Sequence, residues 1–510
     1  MTRRSFHFAR NMSWGAVGQF LAAAANLVII PYLVRSLGNQ SYGLYILLFA
    51  MAGYLGLASL CASGAAVKFS AACAADNNGR ALRDAARYSY IIQAGGAALA
   101  AAVALGAAPI FAFRLFHVPP LLRPIATYLL RCAAAGAVFA AVTEASSGLL
   151  QGLQRFDLAN GIVLMRNVIL PAGAAALVWR GFGLQALGAW YVAVNVVAAA
   201  IAYLLAALAI RPFPAHKDHP PLPLADFLRW SFGQWTAGFA WTMTFQFDRL
   251  FIARDLSLSG LTLYSVPASL LQRLQVLPGM VVLSALPLMS EARRPGQEEE
   301  MRRMYLKSLR FLMWATLPAL TLLAMLMPQF LGLWLGGEFS AHSVLPARLL
   351  CAAQAWFMVT SMPTAVVTAR HNPWYIPAFQ WSQAIVSLLF WRTFVPHWGL
   401  PAVGAGALLA QALPGVVYIA LVHRQYLHLP LGRYLDEGLT VPFLSAGLVL
   451  ILLYPVHGLI SGWLGLTGAV AGGLAAYYGS TFALMSGEDR TLLKEWVKHH
   501  LSAGHKLTTV

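Results

Sequence analysis

The chain has 510 residues, of which 59% are hydrophobic and only 10% charged, and its formal net charge is +17. Soluble domains carry roughly 25% charged side chains, so this composition excludes a water-soluble protein, and it equally excludes disordered, collagen-like and disulfide-scaffold chains. The excess of base then asks which side of a membrane the cations occupy, before it asks about nucleic acid.

In chain order, Arg3, Arg4 and Arg10 precede an apolar stretch from Trp14 to Val34. That stretch is longer than the core of a cleavable signal peptide and reads as a retained first transmembrane helix. A window of about 20 residues places apolar helices near 13–35, 42–66, 88–113, 125–150, 161–180, 185–210, 230–253, 262–290, 308–335, 344–369, 375–396, 401–423, 439–457 and 463–486. Their Ala-, Gly-, Leu- and Val-rich interiors lack period-2 alternation, which disfavours a β-barrel. The expected fold class is all-α, a polytopic membrane protein of about fourteen transmembrane helices.

Within this series, Glu298 with Arg302 and Glu299 with Arg303 stand at i,i+4 and predict a solvated extension of helix nine. Pro278-Gly279, Pro363 and Pro414-Gly415 mark kinks or hinges. After the last span, Leu492, Leu493, Trp496, Val497 and Leu501 share one helical face, so 487–510 reads as an amphipathic tail on the cytoplasmic surface. Cys61, Cys73, Cys132 and Cys351 are scattered and form no metal or redox spacing. No metal, cofactor or catalytic group is expected.

Sorting the basic residues by loop sets the topology. With the N-terminus inside, 25 of the 35 Lys and Arg fall on inner segments, Arg155 and Arg166 among them. Five fall outside (Arg35, Arg114, Arg123, Arg180, Arg254) and five within spans (Arg131, Arg249, Arg273, Arg348, Arg392). So steep a bias predicts both termini in the cytoplasm, with the inner cations attracted to anionic lipid headgroups.

The chain also repeats itself. Residues 35–45 (RSLGNQSYGLY) and 254–264 (RDLSLSGLTLY) both fit R-x-L-x6-L-Y at an offset of 219. Six helices per half would relate two pseudo-symmetric lobes by an axis along the membrane normal. The expected organisation is an N-terminal lobe (1–210), a proline-rich cytoplasmic linker (211–229), a C-terminal lobe (230–423) and two extra helices (424–486) before the tail.

A charged side chain at mid-bilayer costs about 2.5–3.5 kcal/mol on insertion scales, so such residues should face protein or a hydrated cavity. Arg273 is the deepest, about 16 Å along helix eight from its outer end. Ser265, Ser269 and Arg273 follow at i,i+4, with Gln272 beside them. Thr242, Gln246 and Arg249 share one face of helix seven, Gln19 and Asn26 one face of helix one, and Gln380, Gln383 and Ser387 nearly one face of helix eleven. Together these stripes predict a cationic central cavity, whose guanidinium groups suit phosphate and whose amides and hydroxyls suit sugars. Two acids lie within spans. Asp248 is a candidate for an interhelical ion pair or for cation coupling, and Glu144, with Ser147 and Gln151 on its face, for an ion site or an interfacial position.

The stretches NMSWGAVGQFLAAAANLVIIPYLVRSLGNQSYGLYIL, QGLQRFDLANGIVLMRN (151–167) and FQFDRLFIARDLSLSGLTLYSVP resemble the polysaccharide transporter family of bacterial oligosaccharide flippases. That family belongs to the MOP superfamily, which also holds the multidrug and toxic-compound exporters. The similarity runs from about residue 10 to 430, with PYLVRSLG…YGLY and DRLFIA…LYS its most specific segments. The resemblance implies a two-lobed bundle of twelve to fourteen helices. It would move an undecaprenyl-diphosphate-linked oligosaccharide from the cytoplasmic to the periplasmic leaflet of the inner membrane, for O-antigen, capsule or exopolysaccharide assembly. The implied partners are that lipid-linked substrate, membrane lipids and a polysaccharide polymerase or ligase, with no nucleic acid. A cation-coupled drug exporter is the rival reading and predicts coupling carboxylates in the cavity. A membrane glycosyltransferase or polymerase is a further rival, but the chain has no P-loop, no HExxH and no nucleophile motif, and its longest external loop, around Arg114 to Pro124, carries no acid, so an enzyme is not expected.

Overall fold

The protein is described by a computed structural model covering residues 3–59, 62–116, 118–214, 219–291, 297–370, 374–455, 457–485, 487 and 490, with side chains from residue 25 onward except at 283–288 and 290–291. The expected amphipathic tail, 487–510, lies almost wholly outside the described residues. Every element among those residues is helical. Among the described residues nine helices are long and apolar enough to cross a membrane, which makes the chain a multi-pass membrane protein, and three more, Leu224–Phe245, Tyr375–Trp398 and Gly462–Leu484, are 22, 24 and 23 residues long. The chain divides into two compact units, one of Met1–Leu270 with Pro377–Ala410 and one of Leu271–Ile376 with Gln411–Val510.

The first unit contains α1 (Arg3–Gly56), α2 (Ala62–Ala75), α3 (Gly79–Ile110), α4 (Arg123–Gly152), α5 (Phe156–Trp179), α6 (Leu184–Ile210), α7 (Leu224–Phe245), α8 (Asp248–Asp255), most of α9 (Leu258–Arg273) and most of α13 (Tyr375–Trp398). The expected first two helices run together as α1, kinked at Gly38, where φ is 78°. The second of them stops at Gly56, short of the expected residue 66, and the chain restarts as α2. Small residues make the core: Ala62, Ala65, Ala66, Ala81, Ala85, Ala202 and Ala206 are all buried, which lets the helix backbones approach closely.

The proline-rich stretch between α6 and α7 is strapped to α3. The Asn78 amide donates to the Pro220 carbonyl at 3.0 Å, the Tyr88 hydroxyl to Leu222 at 3.2 Å, and the Leu222 N–H to Asp84 at 3.3 Å. Helix α7 then starts at Leu224, six residues before the expected span, because Phe227 is buried against Phe69 and Tyr88.

Two expected helices are broken. Helix seven ends at Phe245 and resumes as α8 at Asp248, where the Asp248 carboxylate accepts the Arg249 N–H at 2.7 Å. Helix eight ends at Arg273 and resumes as α10 (Val276–Glu291). Here the cause is Pro278: it has no N–H to give Leu274, whose carbonyl instead accepts from Leu277 at 3.1 Å. By contrast, α12 (Gly337–Ala369) runs through Pro363 and α14 (Leu400–Val422) through Pro414 without interruption.

The second unit is built on α11 (Glu298–Leu335) and α12, with larger Leu, Met and Trp side chains buried between them. After α14, the turn α15 (Leu431–Arg433) continues through a π-wound stretch, Tyr434–Thr440, into α16 (Val441–Leu453), and α17 (Gly462–Leu484) follows. Arg433 ties this stretch to the start of α11, 2.8 Å from Glu299 and 2.6 Å from Glu437. Arg302 pairs with Glu298 at 3.8 Å, as its i,i+4 spacing predicts. Glu299, however, pairs with Arg302 at 3.1 Å and with Arg433 in place of Arg303, because the returning chain brings it a second cation. Behind them the buried Tyr305 hydroxyl shares a 2.8 Å hydrogen bond with His423 Nε2.

Candidate functional site

The end of α4 reads TEASSGLLQG, and helical spacing puts Thr143, Ser147 and Gln151 on one face with Glu144 and Gly148 beside them. Gly148 and Gly152 form a GxxxG pair that brings α2 against α4. A Cβ on Gly148 would lie 2.7 Å from the Ser63 carbonyl oxygen, and one on Gly152 2.6 Å from that of Val67. Beside this tight crossing, α2, α4 and α5 enclose a cavity of about 370 Å³.

Its polar lining is Ser63 from α2, Thr143, Glu144, Ser147 and Gln151 from α4, and Arg166 and Asn167 from α5, with Val67, Ile162 and Val163 supplying apolar wall. Glu144 is accessible from the cavity, while Arg166 is half-buried and within electrostatic range of both Glu144 and the buried Tyr191. The Ser147 hydroxyl is buried without a hydrogen-bond partner. One fixed cation, one carboxylate and a set of hydroxyls and amides therefore face a single chamber. That is the chemistry to grip a phosphate through the guanidinium and neutral polar groups through the rest.

The expected helix 161–180 already contains Arg166, although the sorting by loop counts it with the inner cations; in the structure α5 begins at Phe156, so Arg166 stands ten residues, about 15 Å, along the helix. Glu144, Ser147 and Gln151 line one cavity together.

The other candidates distribute differently. Gln246, Asp248 and Arg249 gather at the break between α7 and α8. There the Tyr54 hydroxyl donates to the Gln246 carbonyl at 2.5 Å, and Asp248 is buried beside Tyr264. Thr242 and Ser269 satisfy their hydroxyls on their own helices, donating to Gly238 at 3.0 Å and Val266 at 2.8 Å. Gln272 and Arg273 are half-buried at the end of α9, where a cation complements the helix dipole. Beyond the break, Gln275 donates to Gln354 at 3.2 Å. Asn26 is half-buried, and the Gln19 side chain lies outside the described residues. Among the described residues no group of three His, Cys, Asp or Glu is arranged to hold a metal ion, and Cys73, Cys132 and Cys351 are buried free thiols.

Residues 8–293 match the family model described as polysaccharide biosynthesis protein. No curated protein matches the sequence. Among solved structures, the fold is similar to the lipid II flippase MurJ in an inward closed conformation, with a TM-score of 0.69, 12% identity and coverage of 92% of this chain and 98% of that one. It is also similar to an inward-facing multidrug resistance MATE family transporter of the MOP superfamily, with a TM-score of 0.65, 15% identity and coverage of 80% and 94%. A MOP superfamily transporter from Pyrococcus furiosus aligns with a TM-score of 0.50 at 15% identity over 82% of this chain and 94% of that one. The fold is that of the MOP transporters.

Proposed function

The chain belongs to the polysaccharide biosynthesis protein family, and from that membership we propose that it is a flippase for an undecaprenyl-diphosphate-linked oligosaccharide. It carries this lipid from the cytoplasmic to the periplasmic leaflet of the bacterial inner membrane by alternating access, with both termini in the cytoplasm, and delivers it to a surface-polysaccharide polymerase or ligase. The observation that carries the reading is Arg166, a half-buried guanidinium about 15 Å along α5 in a chamber whose other polar groups are hydroxyls, amides and one carboxylate. In this reading Arg166 binds the diphosphate, and Ser63, Thr143, Gln151 and Asn167 meet sugar hydroxyls. Glu144 balances Arg166 when no substrate is bound, and a proton or cation on Glu144 frees the guanidinium for the diphosphate. Gln246, Arg249 and Arg273 are further binding candidates, and Asp248 a further coupling one. Transport, not bond-making, is the activity proposed.

A second reading, a cation-coupled small-molecule exporter, is favoured by the accessible Glu144 carboxylate and by the likeness to the MATE fold. The experiment that separates the two is gene deletion in the host. The flippase reading expects loss of surface polysaccharide and accumulation of its lipid-linked precursor, restored by the parent gene and not by Arg166→Ala. The exporter reading expects intact polysaccharide and raised sensitivity to toxic compounds.

A further inference from the structure

A line of aromatic rings along α7 is used by none of the roles above. Phe232 lies 5.6 Å from Trp235, Trp235 5.3 Å from Phe239, and Phe239 stacks on Trp381 of α13 at 5.7 Å with 29° between the ring planes. Phe232 is 58% exposed and the other three rings are half-buried. The Trp235 indole N–H donates to the Leu57 carbonyl at 2.7 Å, which fixes its ring in place.

Two ordinary explanations of such a line fail. Interfacial aromatic belts sit at the headgroup level, whereas Phe232 to Phe239 climbs seven residues, about 10 Å along the axis. A lipid-facing stretch would be aliphatic, whereas the residues between these rings are Gly233, Gln234, Thr236, Ala237 and Gly238. The whole segment from Ser231 to Phe239 carries no charge, so it is matched to a neutral ligand and not to a diphosphate. Half-open ring faces with amide and hydroxyl groups at their edges suit the apolar C–H faces and the rim hydroxyls of hexoses. The Thr236 hydroxyl donates to the Gly233 carbonyl at 2.9 Å and keeps its lone pairs for a sugar hydroxyl, which an isoprenoid chain would not use. The Gln234 side chain also packs over Gly64, a residue of the cavity lining, so α7 borders the Arg166 chamber.

We propose that Phe232, Trp235, Phe239 and Trp381 form a stacking track for the sugar rings of the carried oligosaccharide. The proposal rests on the flippase reading. It is tested with the full-length protein in lipid nanodiscs, titrated with two probes: undecaprenyl diphosphate bearing a pentasaccharide of hexoses, and bare undecaprenyl diphosphate. The double variant Trp235→Leu with Phe239→Leu is expected to bind the glycolipid about tenfold more weakly than the parent. Its binding of the bare lipid is expected to be unchanged, and Trp235→Phe should retain most of the glycolipid affinity. Equal glycolipid affinity in parent and double variant would overturn the track, as would an equal loss for both probes. A parent that binds the bare lipid and gains nothing from the sugar overturns the track alone. A parent that binds neither probe overturns the flippase reading and the track with it.

Discussion

The Thr262 hydroxyl donates to the Asn39 carbonyl at 2.6 Å, and the contact is reciprocated. Gly43 faces the Leu258 carbonyl so closely that a Cβ there would lie 2.0 Å from the oxygen. Asn39 and Leu258 are equivalent positions of the two R-x-L-x6-L-Y segments, and so are Gly43 and Thr262. The two matched segments therefore cross within the first unit, each presenting its ninth residue to the carbonyl of the other's fifth.

That crossing has no room for a methyl group. Gly43→Ala is expected to destabilise the protein by about 1–3 kcal/mol, the usual cost of overpacking. Thermal unfolding in detergent reads it, with Gly56→Ala, where nothing lies within 4 Å, as the control. Equal unfolding temperatures for the two variants would contradict the crossing.

The approach of α2 to α4 depends on Gly148 and Gly152 in the same way. Gly152→Leu should force the helices apart and destabilise by more than about 1 kcal/mol. Crosslinking between cysteines introduced at Val67 and Leu149 should fall in that variant. Unchanged crosslinking would mean that the glycines are incidental.

Accessibility of the chamber is open to chemical labelling. In a background with the four native cysteines replaced by alanine, Glu144→Cys should react with a membrane-impermeant maleimide in opened vesicles. The neighbouring Ala145→Cys should not, because Ala145 is fully buried. Labelling of both or of neither would remove the cavity from the account.

In the second unit, Tyr305 and His423 are each almost fully buried and bonded to one another. Tyr305→Phe leaves the imidazole nitrogen without its partner and should cost about 1–3 kcal/mol. Chemical unfolding that is the same for parent and variant would show that the bond contributes nothing.

How much of this the sequence discloses varies with the physics behind each feature. Long apolar runs report helices directly, since a spanning backbone has to satisfy its own hydrogen bonds. The break at Leu274 was half legible: Pro278 announces a lost N–H, but the interruption falls one turn earlier, at the carbonyl that loses its donor. The break at Gln246 has no proline and no glycine, and it depends on Tyr54, 192 residues away. Arg166 sorts with the inner cations because it stands only five residues into the expected helix 161–180, whose start the polar QGLQRFD segment pushes five residues past Phe156. The GxxxG of Gly148 and Gly152 is plain in the sequence, and Gly148 is itself part of the chamber lining.

Transport of a lipid-linked oligosaccharide through a chamber organised by Arg166 can be read on the purified protein. Its most direct measurement is flipping of a fluorescent undecaprenyl-diphosphate oligosaccharide in vesicles reconstituted with purified parent protein or with Arg166→Ala. Protein-dependent flipping by the parent and a loss of about tenfold or more in the variant are expected, as befits removal of a charge-assisted bond worth about 1.5–3 kcal/mol. No flipping by the parent, or flipping undiminished in Arg166→Ala, would contradict this expectation.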